Sequence, residues 1–376
     1  MKKILHIVTD EKFSDYAIRQ FSAPEMCSEF VLIPSNDGNV KVKLADQCTI
    51  VRQRSEAFKT LLQNLGNYCA VVLHGMHWPN WQKPLLEAMP DGVKVAWVFW
   101  GGELYGQPDI ANSFLATVDK CINSIHELQK KLFDKKKKQI QRAFVPKECY
   151  SHVDYCLTAL PVEYDFAKNY LNRPDMKYLW YNYYSIEETM GTVFDKQCHG
   201  SNIWIGNSAT ISCNYFDTIL RLRKIEIGDR EVIVPLSYGL PWLMNYVPRV
   251  YRRVLGDKFK PLMDFVPRDE YNEKMLSCNV MIQPHYLSQG VGNILTGLWL
   301  GMRVYISEKC ITADYLKQIG VTFFTIEHDL RKSNPDVFAP LPQSVIDHNR
   351  QMLLKETSMQ RTREANKQLV EELTRR

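Results

Sequence analysis

A repeated alternation constrains this chain most. Short runs of β-branched, aromatic and other apolar residues are separated by stretches with helical spacing. ILHIV (4–8), EFVLIP (29–34), YCAVVLHG (68–75), KVAWVFWGG (94–102), VDYCLTA (153–159) and KYLWYNYY (177–184) form a first series. Such runs are strands buried on both faces, and with helices between them they predict a parallel sheet. DYAIRQF reads as a short helix, and SEAFKTLLQNLG (55–66) as a longer one with Ser55 as N-cap and Gly66 as stop. The polar, turn-rich EETMGTVFDKQCHGS interrupts the pattern near 185–200. The alternation then restarts with NIWIGNS (202–208), a helix over about 212–225, EVIVPLSYG (231–239), a helix over 241–255, FKPLMDFV, a helix over 269–277, and CNVMIQP. From SVIDHN onward the chain reads as one charged amphipathic helix, with Met352, Leu353 and Leu369 among its apolar positions. The expected organisation is α/β, with two Rossmann-like βαβ domains facing across a cleft. An N-terminal domain covers 1–190, a C-terminal domain covers 200–345, and the helix of 346–376 packs back on the first.

Bulk properties exclude several classes. A chain of 376 residues with 45% hydrophobic content can bury two cores. The start, MKKILHIVTDEKF, lacks the apolar length of a signal peptide, and no run is long enough for a membrane-spanning helix, so a cytosolic protein is expected. Ten cysteines are scattered singly from Cys27 to Cys310 without a CxxC pair, which predicts reduced thiols. Nine histidines show no HxxxH or HxxEH spacing, so no structural zinc site is expected.

Two turns in the second half point to anion binding. HYLSQGVGNILTGLWLG (285–301) passes from a glycine-broken polar turn straight into an apolar helix, and Gly206-Asn207-Ser208 follows the strand NIWI. Unpaired N–H groups and the dipole of a helix start favour anions, although each turn alone also reads as a tight strand-to-helix connection. In open α/β sheets, ligands bind beyond the carboxyl ends of the strands. Two such edges suit a nucleotide-sugar transferase with one domain for the donor and one for the acceptor.

Six blocks add a resemblance: LHGMHWP (73–79), VFWGGELY (98–105), WIGNSATISCNY (204–215), VIVPLSYG (232–239), DEYNEKMLSCNVMI (269–282) and SQGVGNILTGLWLGMRVYI (288–306). In this order they resemble the TDP-N-acetylfucosamine:lipid II N-acetylfucosaminyltransferases, the 4-α-L-fucosyltransferases of glycosyltransferase family 56. VEYDFAKNYL (162–171) is similar to the helix before that family's domain boundary. The resemblance spans most of the chain. It implies a GT-B fold with the donor nucleotide on the C-terminal domain, and a lipid-pyrophosphate-linked saccharide as acceptor in bacterial surface polysaccharide synthesis. It further implies a peripheral protein at the cytoplasmic face of the inner membrane. Two positions depart from the family pattern. Leu287 stands where an Arg often precedes the Gln-rich turn, and the family's WGAD is Trp100-Gly101-Gly102-Glu103 here.

Transfer from a nucleoside-diphosphate sugar requires stabilisation of the leaving diphosphate and a base for the acceptor hydroxyl. The donor set expected for a TDP- or UDP-sugar is Gly206, Asn207, Ser208, Tyr238, Val266, Gln289, Gly290, Val291, Gly292 and Asn293. Asn207 and Ser208 would donate to phosphate, Gln289 would reach ribose or phosphate, and Tyr238 would line the pocket. Val266, in the loop before Asp269 as N-cap, would lie beside the base. Asp264 and Asp269 are too far apart for a DxD pair, so neither a metal nor another cofactor is expected. The candidate bases are Glu103, projecting after the twin glycines, and His74, with His77 covering the loop.

The segment 130–142, KKLFDKKKKQIQR, carries seven Lys/Arg against one Asp in a chain of net charge +5. A solvated helix face is one reading. An interfacial helix on anionic lipid is the other, with Lys135, Lys136, Lys137, Lys138 and Arg142 beside Leu128, Leu132, Phe133, Ile140 and Phe144. No nucleic-acid motif accompanies the run. A nucleotide-sugar epimerase and a non-catalytic nucleotide-sugar-binding protein are the alternative functions.

Overall fold

A computed structural model describes residues 2–11, 13–34, 40–133 and 144–375. Lys135, Lys136, Lys137, Lys138 and Arg142 lie outside the described residues. The chain divides into two compact units, one of Met1–Gln107, Ile140–Ser185 and Met359–Arg376, the other of Pro108–Gln139 and Ile186–Ser358.

The first unit holds β1 (Lys3–Thr9), α1 (Ser14–Phe21), β2 (Ser28–Ile33), β3 (Thr49–Ile50), α2 (Glu56–Gln63), β4 (Tyr68–His74), α3 (Pro79–Glu87), β5 (Lys94–Val98) and the single turn α4 (Gly102–Tyr105). Next in the chain comes α5 (Thr117–Phe133), which belongs to the second unit. The first unit resumes with β6 (Tyr155–Thr158), α6 (Pro161–Leu171) and β7 (Lys177–Trp180). Its seven strands are all parallel, in the order β3-β2-β1-β4-β5-β6-β7. Ser55 caps α2 as expected, its side chain accepting from the Phe58 N–H. Ile4, Val8, Leu32, Val72 and Val98 make the sheet's contribution to one core.

The second unit adds α7 (Ile186–Met190), β8 (Asn202–Ile205), α8 (Tyr215–Leu222), β9 (Val232–Pro235), α9 (Pro241–Leu255), β10 (Phe259–Leu262), α10 (Arg268–Met275), β11 (Cys278–Gln283), α11 (Val291–Leu300), β12 (Arg303–Ile306), α12 (Ile311–Gln318), β13 (Phe324–Thr325) and α13 (Gln343–Thr357). Its six strands are parallel in the order β10-β9-β8-β11-β12-β13. Counted from the first strand of each unit, both sheets run third, second, first, fourth, fifth, sixth, and the first sheet adds a seventh at that edge. That is the doubly wound order, in which the ligand crevice falls between the first and fourth strands. The fold class expected from the apolar runs is the one observed. Helix α11 lies close on the sheet, and a Cβ at Gly297 would come within 2.8 Å of the Met281 sulfur.

Three local expectations change. The C-terminal segment is two helices, α13 and α14 (Met359–Thr374), because Ser358 is extended (φ −67°, ψ 161°) between them. Serine favours such helix boundaries because its hydroxyl competes for backbone partners. Leu369, Val370 and Leu373 of α14 join the core of the first unit. Asp269 lies in the first turn of α10 rather than at its cap, since Pro267 holds that place. The two-residue edge strands β3 and β13 are too short to leave a periodic signal.

Helix α5 is fixed to the second unit by a mutual arrangement with α8. The Asp217 carboxylate accepts from the N–H groups of Val118 (2.8 Å) and Asp119 (3.0 Å). The Asp119 carboxylate accepts from those of Phe216 (3.0 Å) and Asp217 (2.9 Å). Each acid caps the other's helix, satisfying orphan donors at both N-termini. Burial and the neighbouring Asp217 carboxylate push the Asp119 carboxyl up to about 8, against the lowering by its backbone donors.

Candidate functional site

The loops after β8 and β11 meet in the second unit. Gly206 has φ 67°, and a Cβ there would lie 2.6 Å from the Tyr215 hydroxyl, so only glycine fits. Its carbonyl accepts from Trp204 Nε1 (3.1 Å) and Gln283 Nε2 (3.2 Å), and the Ser208 carbonyl accepts from Tyr215 Oη (2.8 Å). The turn's carbonyls are thus held inward. The N–H of Asn207 is turned toward the buried Cys213 sulfur, while that of Ser208 has no acceptor among the described residues. The same is true of Gly290, Val291, Gly292 and Asn293 at the start of α11, where the first helical bond is donated by Ile294. Gly290 is left-handed (φ 66°), and a Cβ on it would sit 3.2 Å from Asn207 Cγ, so the two turns touch. No atom lies within 4 Å of a Cβ built on Gly292.

A polar network fixes which groups face outward. Asn207 Oδ1 accepts from His285 Nε2 (3.0 Å) and Gln289 Nε2 (3.1 Å). Two donors on one atom identify it as the oxygen, which leaves the Asn207 amide nitrogen to donate toward the Tyr238 hydroxyl at the edge of the cavity. Gln289 is consumed within the protein, donating also to Thr210 Oγ1 (2.8 Å) and accepting from Ser212 Oγ (2.5 Å). Its side chain therefore braces the cradle. Beneath it, Cys213 and His285 are fully buried, with Sγ 3.2 Å from Nε2. Burial alone would raise the Cys213 thiol, but His285 and hydrogen bonds outweigh it and bring it down to about 6. No sequence pattern marked this pair, whose members are 72 residues apart.

Beside the turns is a small cavity of about 130 Å³, lined by Asn207, Tyr238, Phe265, Val266, Tyr271 and Asn293 among others. Asn293 Nδ2 donates to Tyr271 Oη at 2.8 Å. Tyr238 and Phe265 are 55% and 84% exposed, which leaves aromatic faces available to a planar ring. Every expected donor residue of the second unit thus lies in the cradle or beside this cavity.

The first unit finishes its carboxyl edge differently. His74, at the end of β4, is buried in a chain of hydrogen bonds: Ser28 Oγ to His6 Nε2 (3.2 Å), His6 Nδ1 to His74 Nε2 (3.1 Å), and His74 Nδ1 to Tyr183 Oη (2.9 Å). Ser28 Oγ also donates to the Met26 carbonyl, and Tyr183 Oη accepts from Trp100 Nε1. One assignment satisfies all of these groups, with both rings neutral and Tyr183 donating to His74, His74 to His6, and His6 to Ser28. Burial brings the His74 imidazole down to about 3 and lowers His6 as well, His74 adding to the effect on His6.

Glu103 does not project, because its carboxylate turns into the unit, 1% exposed. One oxygen accepts from Trp97 Nε1 and the Trp100 N–H, both at 3.0 Å, and the other lies 3.2 Å from His77 Nε2. Burial raises this carboxyl, but His77 and the backbone donors more than reverse it, so it stays ionised below the usual range. Of the pair, His77 is the member that reaches the surface, its side chain 14% exposed. The expected base thus stands behind another titratable residue. A cavity of about 810 Å³ in this unit lies near Ser28, Glu29 and Tyr68 at the amino ends of the strands, away from this chemistry.

Helix α5 exposes Ile125, Leu128 and Leu132, each by 57%. Among the described residues no helix is long and apolar enough to cross a membrane, and no group of three His, Cys, Asp or Glu residues could hold a metal ion.

The sequence matches no protein-family model and no curated protein. Its structure is similar to that of a glycosyltransferase from Rickettsia africae ESF-5, with a TM-score of 0.62 at 12% identity over 99% of this chain and 98% of that one. It is similar also to sucrose-phosphate synthase (tll1590) from Thermosynechococcus elongatus, with a TM-score of 0.60 at 11% identity over 99% of both chains. A third is Anabaena Alr3699/HepE in complex with UDP and glucose, with a TM-score of 0.60 at 9% identity over the whole of both chains. The chain has the GT-B type of fold these proteins share. At such identities the likeness establishes the fold and nothing finer.

Proposed function

We propose that this protein is a glycosyltransferase that takes its sugar from a nucleoside diphosphate. The observation that supports this most is the cradle of the second unit. Two turns, whose Asn207 and Gln289 are 82 residues apart in sequence, meet at the switch point and together present the backbone N–H groups of Ser208, Gly290, Val291, Gly292 and Asn293 without an internal acceptor. Such donors, with the dipole of α11, suit the diphosphate of a leaving nucleotide without a metal. The cavity beside Tyr238 and Phe265 suits the base. The complex of Alr3699/HepE with UDP and glucose, on the same fold, agrees with this reading.

In the finer reading, a deoxy-amino sugar such as N-acetylfucosamine passes from a TDP- or UDP-linked donor to a lipid-pyrophosphate-linked saccharide. Glu103 and His77 act together. The buried carboxylate orients the imidazole and stabilises its protonated form as it takes the acceptor's hydroxyl proton. The hydroxyl oxygen then bonds to the anomeric carbon as the nucleoside diphosphate leaves with the electrons of the broken bond. His74 acts at one remove, holding Tyr183 and Trp100. The apolar positions of α5 and the basic run after it suit a peripheral association with anionic lipid at the cytoplasmic face of the inner membrane.

Titration with UDP and TDP, followed by incubation of their sugars with and without a lipid-linked acceptor, tests this. Transfer to the acceptor without added metal is the expected result. Donor isomerisation without acceptor would make the protein an epimerase, binding without turnover would make it a carrier, and absence of nucleotide binding would end the proposal.

A further inference from the structure

The second unit contains another cavity, of about 430 Å³, outside the cradle. Pro284, Ser307 and Ile326 line it just beyond β11, β12 and β13, and α8 forms a wall. The chain after β11 separates the two places by its local period. His285 turns into the network with Cys213 and Asn207, while Pro284 and Tyr286 on either side of it face this cavity.

Its charge is unbalanced. Arg221, Lys224, Arg331 and Lys332 line it, and none makes an ion pair or a side-chain hydrogen bond among the described residues. Lys309 adds a fifth cation, its Nζ 5.2 Å from the centre of the Tyr286 ring. Two carboxylates are also in the wall, but both are held by other groups. Asp217 caps α5. Glu327 accepts from Ser307 Oγ (2.6 Å) and the Glu308 N–H (2.9 Å). Unpaired cations around one concavity repel one another and raise the local potential, which a multiply charged anion relieves. Arginine and lysine together match phosphate oxygens, the first as a planar fork and the second as a point charge. The volume is in the range of small-molecule sites, well above that of a single phosphate.

We propose that this cavity is a second anion site, taking the diphosphate group of a phosphorylated ligand, either soluble or lipid-borne. The site is independent of the donor cradle. Titrating the full chain with inorganic pyrophosphate tests it, using wild type and two double variants, Arg221→Glu with Lys224→Glu and Arg331→Glu with Lys332→Glu. UDP affinity and circular dichroism serve as controls for the cradle and the fold. Each double variant should lose pyrophosphate binding here by about tenfold or more, from the loss of charge-assisted contacts, while UDP binding stays as it was. Unchanged pyrophosphate binding in both double variants would overturn the site, whatever the outcome for UDP. A second arm separates the sources. If the same variants also detach from phosphatidylcholine vesicles containing phosphatidic acid, the phosphate is membrane-borne. If they lose only pyrophosphate, the ligand is soluble.

Discussion

The two sheets share a strand order, yet the carboxyl ends of their strands are built from opposite materials. In the second unit the edge is made of glycines and small amides whose side chains satisfy one another and leave backbone N–H groups unspent. In the first unit it is made of imidazole, indole and phenol rings, with one carboxylate sealed behind them. The first arrangement suits the binding of fixed negative charge, and the second suits the holding and moving of a proton. The same topology can serve both because it determines where loops gather, while the residues in the loops determine the chemistry.

The proton-handling half can be tested most severely. Glu103→Gln would put an amide N–H against His77 Nε2 and favour the other imidazole tautomer. With His77→Asn as its companion, kcat should fall by ~10²–10⁴-fold in each, and the double variant should be little worse, since the pair acts as a unit. Donor affinity should hardly move. Steady-state kinetics with separately measured UDP binding checks this, and additive losses would show that the two residues act independently.

The anion-binding half is broken by backbone geometry. Gly290→Val forces a β-branched residue into a left-handed position against Asn207, so UDP affinity should fall by about a hundredfold or more. Gly292→Ala is the sharper probe. A Cβ there meets nothing, and alanine favours the helix, so the melting temperature should hold or rise while UDP binds less well. Calorimetry of both variants separates a filled ligand space from a damaged fold.

Acid and alkali should attack different units. His6 and His74 are held neutral, their folded values lying below the ordinary 6.5, so the unfolded chain binds more protons as the pH falls. Stability therefore declines below about pH 6.5 and continues to decline toward about 3. Asp119 behaves in the opposite sense. Its folded value, about 8, lies above its ordinary 3.8, so its contribution is complete below about pH 4 and is lost as the pH rises through 8. Urea midpoints across pH should show Asp119→Asn removing a decline that runs upward from about pH 4 to 8, and His74→Gln easing the opposite decline that runs downward from about 6.5 to 3. An effect of His74→Gln above about pH 7, or of Asp119→Asn below about pH 3, would show that these groups do not set the two slopes.

The smallest effect expected is spectroscopic. Thiolate absorbance should rise with a midpoint near pH 6 and vanish in Cys213→Ser, because burial pushes up the thiols of Cys48, Cys69, Cys149, Cys156, Cys198, Cys278 and Cys310. A titration of Cys213→Ser identical to wild type would show that the thiolate is not at Cys213.

Much of this was determined by the sequence alone. Strands buried on both faces need apolar residues in unbroken runs, so ILHIV, YCAVVLHG and NIWIG could be read one by one, and their alternation with helices required parallel sheets. Gly206 and Gly290 marked strand-to-helix turns because positive φ is a local demand. What only the tertiary structure decided depends on partners distant in sequence. Gln289 faces inward because Asn207 and Thr210 meet its amide. Glu103 lies behind His77 because the neighbouring strands β4 and β5 end side by side and bring the two side chains to 3.2 Å. The capping of α5 by Asp217, and of α8 by Asp119, joins residues 98 apart in the chain. Local pattern carries burial and backbone angle, whereas the direction in which a polar side chain points is settled by whichever donors and acceptors the fold brings within about 3 Å of it.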